Sequence, residues 1–197
     1  MTRILTLAAA LLSPLPALAQ AIPLEQISAY LDGIETAEST FTQINADGSV
    51  ATGELYIQRP GRVRFDYDDE ALLVMAGGGQ LAIFDGRGNT MAEQYPLRQT
   101  PLWLILDRDV NLSRSGMVIA HEFDGTSTRV VTQDPERPEI GTLTLVFTDD
   151  PIQLRQWVVT DQAGAETTIV LGALRQDVRL SQGLFSIPQE IRRRGGE

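Results

Sequence analysis

Hydrophobic and polar positions alternate through residues 53–67, GELYIQRPGRVRFDY. Leu55 and Ile57 are interleaved with Glu54, Tyr56 and Gln58; Val63, Phe65 and Tyr67 are interleaved with Arg62, Arg64 and Asp66. A period of two marks a strand with one wet and one apolar face. Pro60-Gly61 between the two runs predicts a tight turn, since proline presets φ and glycine tolerates positive φ. The same alternation, cut by Asp47-Gly48, Gly77-Gly78-Gly79, Gly86-Arg87-Gly88, Asp124-Gly125, Asp149-Asp150-Pro151 and Ala163-Gly164, predicts strands over residues 39–46, 49–58, 62–67, 72–76, 81–85 and 89–95. Further strands are predicted over 117–123, 128–133, 141–148, 153–160, 166–174 and 184–187, the last stopped by Pro188. Roughly ten short strands at ~8–12-residue spacing imply one large antiparallel sheet, rolled or closed.

Two segments depart from this period. Leu24, Ile27, Leu31 and Ile34 recur at helical spacing after Pro23, predicting an amphipathic helix that ends near Gly33. Residues 100–106, TPLWLIL, are apolar all round behind a Thr-Pro opening. So short and greasy a segment is either an ordinary buried turn or a lid over a pocket. Arg59, at the end of its strand, sits at a sheet rim. Its five donors can reach carbonyls of whatever covers the sheet, or it forms a surface ion pair with Glu54 or a nearby aspartate. The tail from Arg192 to Glu197 is expected to fray.

Residues 1–19 read as a secretory signal: Arg3, an apolar run over 4–12, then Ala17-Leu18-Ala19 before Gln20. A cut after Ala21 is an alternative. The run is far short of the ~20 residues that span a bilayer. Residues 20–197 are then one exported, soluble domain. The chain has no cysteine, which excludes disulfides, thiol chemistry and a lipid-modified N-terminal cysteine. Its formal charge is −10, and all 16 basic residues are arginine. Without a basic patch, such a chain repels phosphate backbones, so nucleic acid is not expected as a partner.

No catalytic or metal site is predicted. His121 is the lone histidine, and no G-x-S-x-G turn accompanies it. Asp66, Asp68, Asp69 and Glu70 lack the spacing of a calcium loop. The triple glycine at 77–79 precedes a strand rather than a helix, so it does not make a phosphate cradle.

Several fragments, in order, resemble the LolA family of periplasmic outer-membrane lipoprotein carriers. They are Phe41-Thr42-Gln43, Gly53-Glu54-Leu55, Gln58-Arg59-Pro60-Gly61-Arg62, Arg64-Phe65, Leu72-Leu73-Val74 followed by Gly79-Gln80-Leu81 and Phe84-Asp85, Thr100-Pro101-Leu102, and Phe185-Ser186-Ile187-Pro188. Val63 stands where the family commonly has an aromatic residue, and Ala82-Ile83 replaces a Trp-containing pair.

The resemblance implies a half-open antiparallel β-barrel of roughly ten or eleven strands, with short helices covering an apolar cavity. It implies a non-enzymatic carrier without cofactor. Such a carrier takes acylated lipoproteins from an inner-membrane ABC release complex (LolCDE) and delivers them to an outer-membrane acceptor (LolB) where one exists. A monomer is expected, since delivery asks for two transient partners. Leu55, Ile57, Val63, Phe65, Leu73, Met75, Leu81 and Ile83 are the expected wall, Leu102, Trp103, Leu104 and Leu106 the lid, and Arg59 its latch. The rival readings are a lipoprotein-sensing regulatory domain of the same fold, a lipid or glycolipid binder, and a small β-barrel hydrolase.

Overall fold

The computed structural model describes residues 20–69, 71–86 and 92–195. The expected signal segment over 1–19, Glu70 and the first part of the expected 89–95 strand lie outside the described residues. In chain order the elements are α1 (Leu24–Asp32), β1 (Thr36–Ile44), β2 (Val50–Gln58), β3 (Arg62–Tyr67), β4 (Leu72–Gly77), β5 (Gln80–Asp85), β6 (Glu93–Pro96), α2 (Trp103–Leu106), β7 (Val118–Phe123), β8 (Thr128–Gln133), β9 (Thr142–Thr148), β10 (Gln153–Thr160), β11 (Glu166–Leu171), β12 (Arg175–Gln176) and α3 (Ile187–Arg193).

The strands form one antiparallel sheet in the order β6-β5-β4-β3-β2-β1-β11-β10-β9-β8-β7, with β12 pairing β1. Its ends do not meet, so the barrel is half open. β6 and β7 are its two outer strands, and residues 97–117 connect them. The segment that is apolar all round is therefore the one that must pass across the opening. It is buried there from both sides: Leu104, Ile105 and Leu106 are inside the core. Within that segment only Trp103–Leu106 is α-helical, after a 3-10 turn at Leu97–Gln99.

The concave side of the sheet holds the main core. Ile27 and Leu31 of α1 meet Phe41, Leu55, Val63, Leu145, Phe147, Trp157 and Ile169 there. Register places Leu55 beside Phe65, Ile57 beside Val63, Phe65 beside Val74 and Val74 beside Ile83. Gly53 lies between Phe41 and Tyr67, whose rings close over it edge-to-face at 5.1 Å. A Cβ at Gly53 would fall 2.8 Å from the Tyr67 Cα, so the bend between β2 and β3 needs glycine there.

A smaller core lies on the convex side, where Leu73, Met75, Ala82 and Phe84 pack under Ile187 and Ile191. The C-terminus departs from expectation. Instead of a strand over 184–187, residues Gln182–Phe185 form a 3-10 turn and Ile187 opens α3. Ser186 caps that helix through its hydroxyl, and Pro188 sits in its first turn, where a missing N–H costs nothing. Nor does the tail fray at Arg192: α3 runs to Arg193, and Arg193 and Arg194 fasten it, while Gly196 and Glu197 lie outside the described residues. Glu190, buried, accepts from Arg193 at 2.6 Å and Arg194 at 2.9 Å, and lies 3.3 Å from the buried Arg64 of β3. Burial by itself would raise the Glu190 pKa; the hydrogen bonds from Arg193 and Arg194 and the charge of Arg64 outweigh it and hold the pKa at about 2.

Candidate functional site: an apolar cavity under a tied segment

A cavity of about 620 Å³ opens on the concave side, within the ~300–1,000 Å³ range of small-molecule pockets. Phe65, Tyr67 and Trp157 form its aromatic floor. Phe65 meets Phe41 at 5.3 Å and Trp157 at 6.2 Å, both edge-to-face. Val74, Leu81 and Ile83 make one wall; Ile140, Val159 and Ile169 make the other. Pro101 and Leu102 close one side. Val74, Leu81, Ile83 and Val159 are only half buried, so the protein's own side chains leave apolar surface there uncovered. Burial pushes the Tyr67 phenol up to about 12, so it stays neutral while donating to Gln43 Oε1 at 2.6 Å.

The expected wall residues divide into three groups. Phe65, Leu81 and Ile83 line the cavity. Leu55, Ile57 and Val63 share its face but are packed into the core. Leu73 and Met75 are on the wrong face: they point to the convex side, under α3. Residues 72–76 are apolar at every position, so alternation gave no sign of which residues face in; Val74 does. The far wall, with Trp157, Val159 and Ile169, had no candidate in the sequence reading. A bulge between Leu154 and Gln156 breaks the period of two just before Trp157.

The expected lid residues also separate. Leu102 borders the cavity, whereas Leu104 and Leu106 are core. Trp103 turns away from it. Its ring lies over the β2–β3 turn, 3.6 Å from where a Gly61 Cβ would be, with the Arg98 guanidinium stacked at 4.2 Å.

Arg59 joins three elements. Its Nε donates to the Asp107 carbonyl, just past α2, at 2.9 Å. Its Nη1 donates to the Leu31 carbonyl at the end of α1, and its Nη2 lies 3.0 Å from Asp32 Oδ1. The same Asp32 oxygen accepts from the Val110 N–H at 2.9 Å, and the Gly61 N–H donates to the Leu106 carbonyl at 2.7 Å. The ion pair expected as an alternative forms with Asp32, but the side chain is 6% exposed, so this is no surface pair.

Among the described residues, no group of three or more His, Cys or carboxylate side chains is placed to hold a metal ion. His121 is occupied by the Ile22 carbonyl, 3.0 Å from its Nε2. No described helix is long and apolar enough to cross a membrane.

The sequence profile of the outer membrane lipoprotein carrier protein LolA matches residues 32–188. This chain belongs to the LolA family. It is 27% identical over 191 residues to the outer-membrane lipoprotein carrier protein of Chromobacterium violaceum, covering 91% of this chain and 89% of that one. A protein of the same name from Methylococcus capsulatus is 30% identical over 73 residues, or 34% of this chain and 35% of that one. A putative outer membrane lipoprotein-sorting protein domain from Vibrio parahaemolyticus has a likeness of fold, with TM-score 0.51 at 10% identity over 85% of this chain and 96% of that one. The open barrel with its short helices is thus LolA-family architecture. Val63 is packed in the core and Ala82 lies on the convex side, so Phe65, Tyr67 and Trp157 supply the cavity's aromatic surface.

Proposed function

We propose that this LolA-family protein is a periplasmic chaperone, exported by the signal over residues 1–19, that carries lipoproteins by their acyl chains. It accepts them from an inner-membrane ABC release complex (LolCDE) and passes them to an outer-membrane acceptor (LolB) without chemistry of its own. The observation that carries this reading is the half-covered apolar wall of Val74, Leu81 and Ile83 beside the segment fastened by Arg59.

The energetics suit carriage. Each methylene removed from water is worth about 0.8 kcal/mol, so burying about ten methylenes yields roughly 8 kcal/mol, a micromolar grip. Release then needs only a competitor for that burial. Movement of residues 99–102 against the wall supplies one, and the Arg59 bonds set how strongly the empty form is favoured.

A photocrosslinking residue at Val74 tests this. In the periplasm it should capture acylated lipoproteins and not their unacylated forms. Equal capture of both would reduce the contact to ordinary protein association and sink the carrier reading.

A further inference from the structure

We propose that this cavity selects ligands whose polar end is uncharged or cationic and turns away free carboxylates and phosphates, with Asp161 as the residue that sets the preference. The proposal rests on the acyl-carrier reading and adds the class of head that the acyl chain must bear.

Exposure marks the mouth. The floor residues Phe65, Tyr67 and Trp157 are buried, whereas Gln99, Asp161 and Gln162 on the rim are exposed. A chain lying on the floor therefore leaves its head among these three and the nearby Thr167. Amide and hydroxyl groups can donate to and accept from an ester or amide. They cannot neutralise an anion.

The charges at the mouth point the same way. No arginine or histidine is among the described lining residues, and the chain contains no lysine. The nearest sequence neighbour that is cationic, Arg98, is stacked on Trp103 and faces a separate recess. Among the described lining residues Asp161 is the one carboxylate, and its position is fixed: Oδ1 accepts from the Ala163 N–H at 2.8 Å and the Ala165 N–H at 2.9 Å. A ligand carboxylate would meet a like charge with no counter-ion among the described lining residues, whereas a glyceryl ester or an N-acyl amide finds neutral amide and hydroxyl partners in Gln99, Gln162 and Thr167.

The test compares a monoacylglycerol with the fatty acid of the same chain length, each below its micelle concentration, on the mature chain at pH 8 and low salt. The neutral ester should bind about tenfold tighter, as expected for unit charges several ångströms apart at a wet surface. Asp161→Asn keeps an oxygen for the two N–H groups, so the turn should persist. It should tighten fatty-acid binding to within about threefold of the ester while leaving ester binding unchanged. Asp161→Arg should reverse the preference. Equal wild-type affinities, or a preference that Asp161→Asn leaves intact, would overturn the selectivity and spare the carrier reading. Failure of both lipids to bind would overturn the two together.

Discussion

The guanidinium of Arg59 donates to the main-chain carbonyl of Asp107 at 2.9 Å, and so ties the end of β2 to the residue just past α2. A carbonyl is fixed by backbone geometry rather than by a flexible side chain. The bond therefore reports where the whole 97–117 segment lies. The same guanidinium reaches Leu31 and Asp32, so α1, β2 and α2 lose a common anchor if it is removed.

Arg59→Leu should leave these carbonyls without their charged donor. Hydrogen bonds to charged groups are worth about 1.5–3 kcal/mol each, so the closed arrangement should weaken while strands β1 to β11 persist. If that arrangement competes with cargo, the variant takes up acylated lipoprotein as well as the wild type but hands it on several-fold more slowly. Uptake and transfer are measured separately, with purified carrier and an acceptor. Normal transfer removes Arg59 from any role in release.

Glu190 gives a prediction with a pH axis. Its folded pKa of about 2 lies below its ordinary 4.5. A depressed carboxylate contributes stability that is complete above the unfolded pKa and is lost as pH falls towards the folded one. The wild type should thus lose about 3 kcal/mol between pH 5 and 2 that Glu190→Gln never had. At pH 7 the variant should be destabilised by about 3 kcal/mol, the stability tied to that charge, since Arg64 loses its partner on α3 but keeps Asp66 at 2.8 Å. Urea unfolding at pH 7, 5, 4 and 3 checks both. A constant difference between the two proteins across this range would show that the carboxylate charge is not what fastens α3.

The strands and the buried 100–106 segment were legible because each obeys one simple pattern: Val63, Phe65 and Tyr67 alternate with arginine and aspartate, and TPLWLIL does not alternate at all. Facing was legible only where one face is wet. In β4 both faces are covered, by the main core and by α3, so Leu72, Leu73, Val74 and Met75 look alike. Trp157 was hidden by the bulge after Leu154. The C-terminal helix was missed because Phe185 and Ile187 have side chains that favour strands. Ser186 and Pro188 around Ile187 carried the cap signal that should have outweighed them.

Gly53→Ala tests the bend beneath the aromatic floor. The new Cβ would sit 2.1 Å from the Asp66 carbonyl oxygen and 2.8 Å from the Tyr67 Cα, both backbone atoms that cannot rotate aside. β3 must shift, and the Phe41–Tyr67 contact at 5.1 Å opens with it. The expected cost is about 1–3 kcal/mol, the range for overpacking a tight site. It should be accompanied by a weaker near-ultraviolet aromatic dichroism. A thermal midpoint and an aromatic signal both unchanged would mean that β2 and β3 have room for a methyl group there.

Adjacent residues of β4 should behave as opposites. Leu73 is fully buried against Ile187 and Phe84 on the convex side, so Leu73→Ala should cost about 2–5 kcal/mol from lost burial and the space left behind. Ligand binding by the molecules that remain folded should be unaffected, because that side chain does not reach the cavity. Val74 is half exposed and lines the cavity wall beside Phe65 and Ile83. Val74→Asn should therefore change stability by less than about 1 kcal/mol, in keeping with a partly exposed site. It should also place an amide where hydrocarbon must lie, weakening acyl-chain binding roughly tenfold, since that amide is desolvated without a partner. Denaturant unfolding and acyl-ligand titration on the same two variants separate the effects. Loss of binding in Leu73→Ala with none in Val74→Asn would put the cavity on the other face of the sheet.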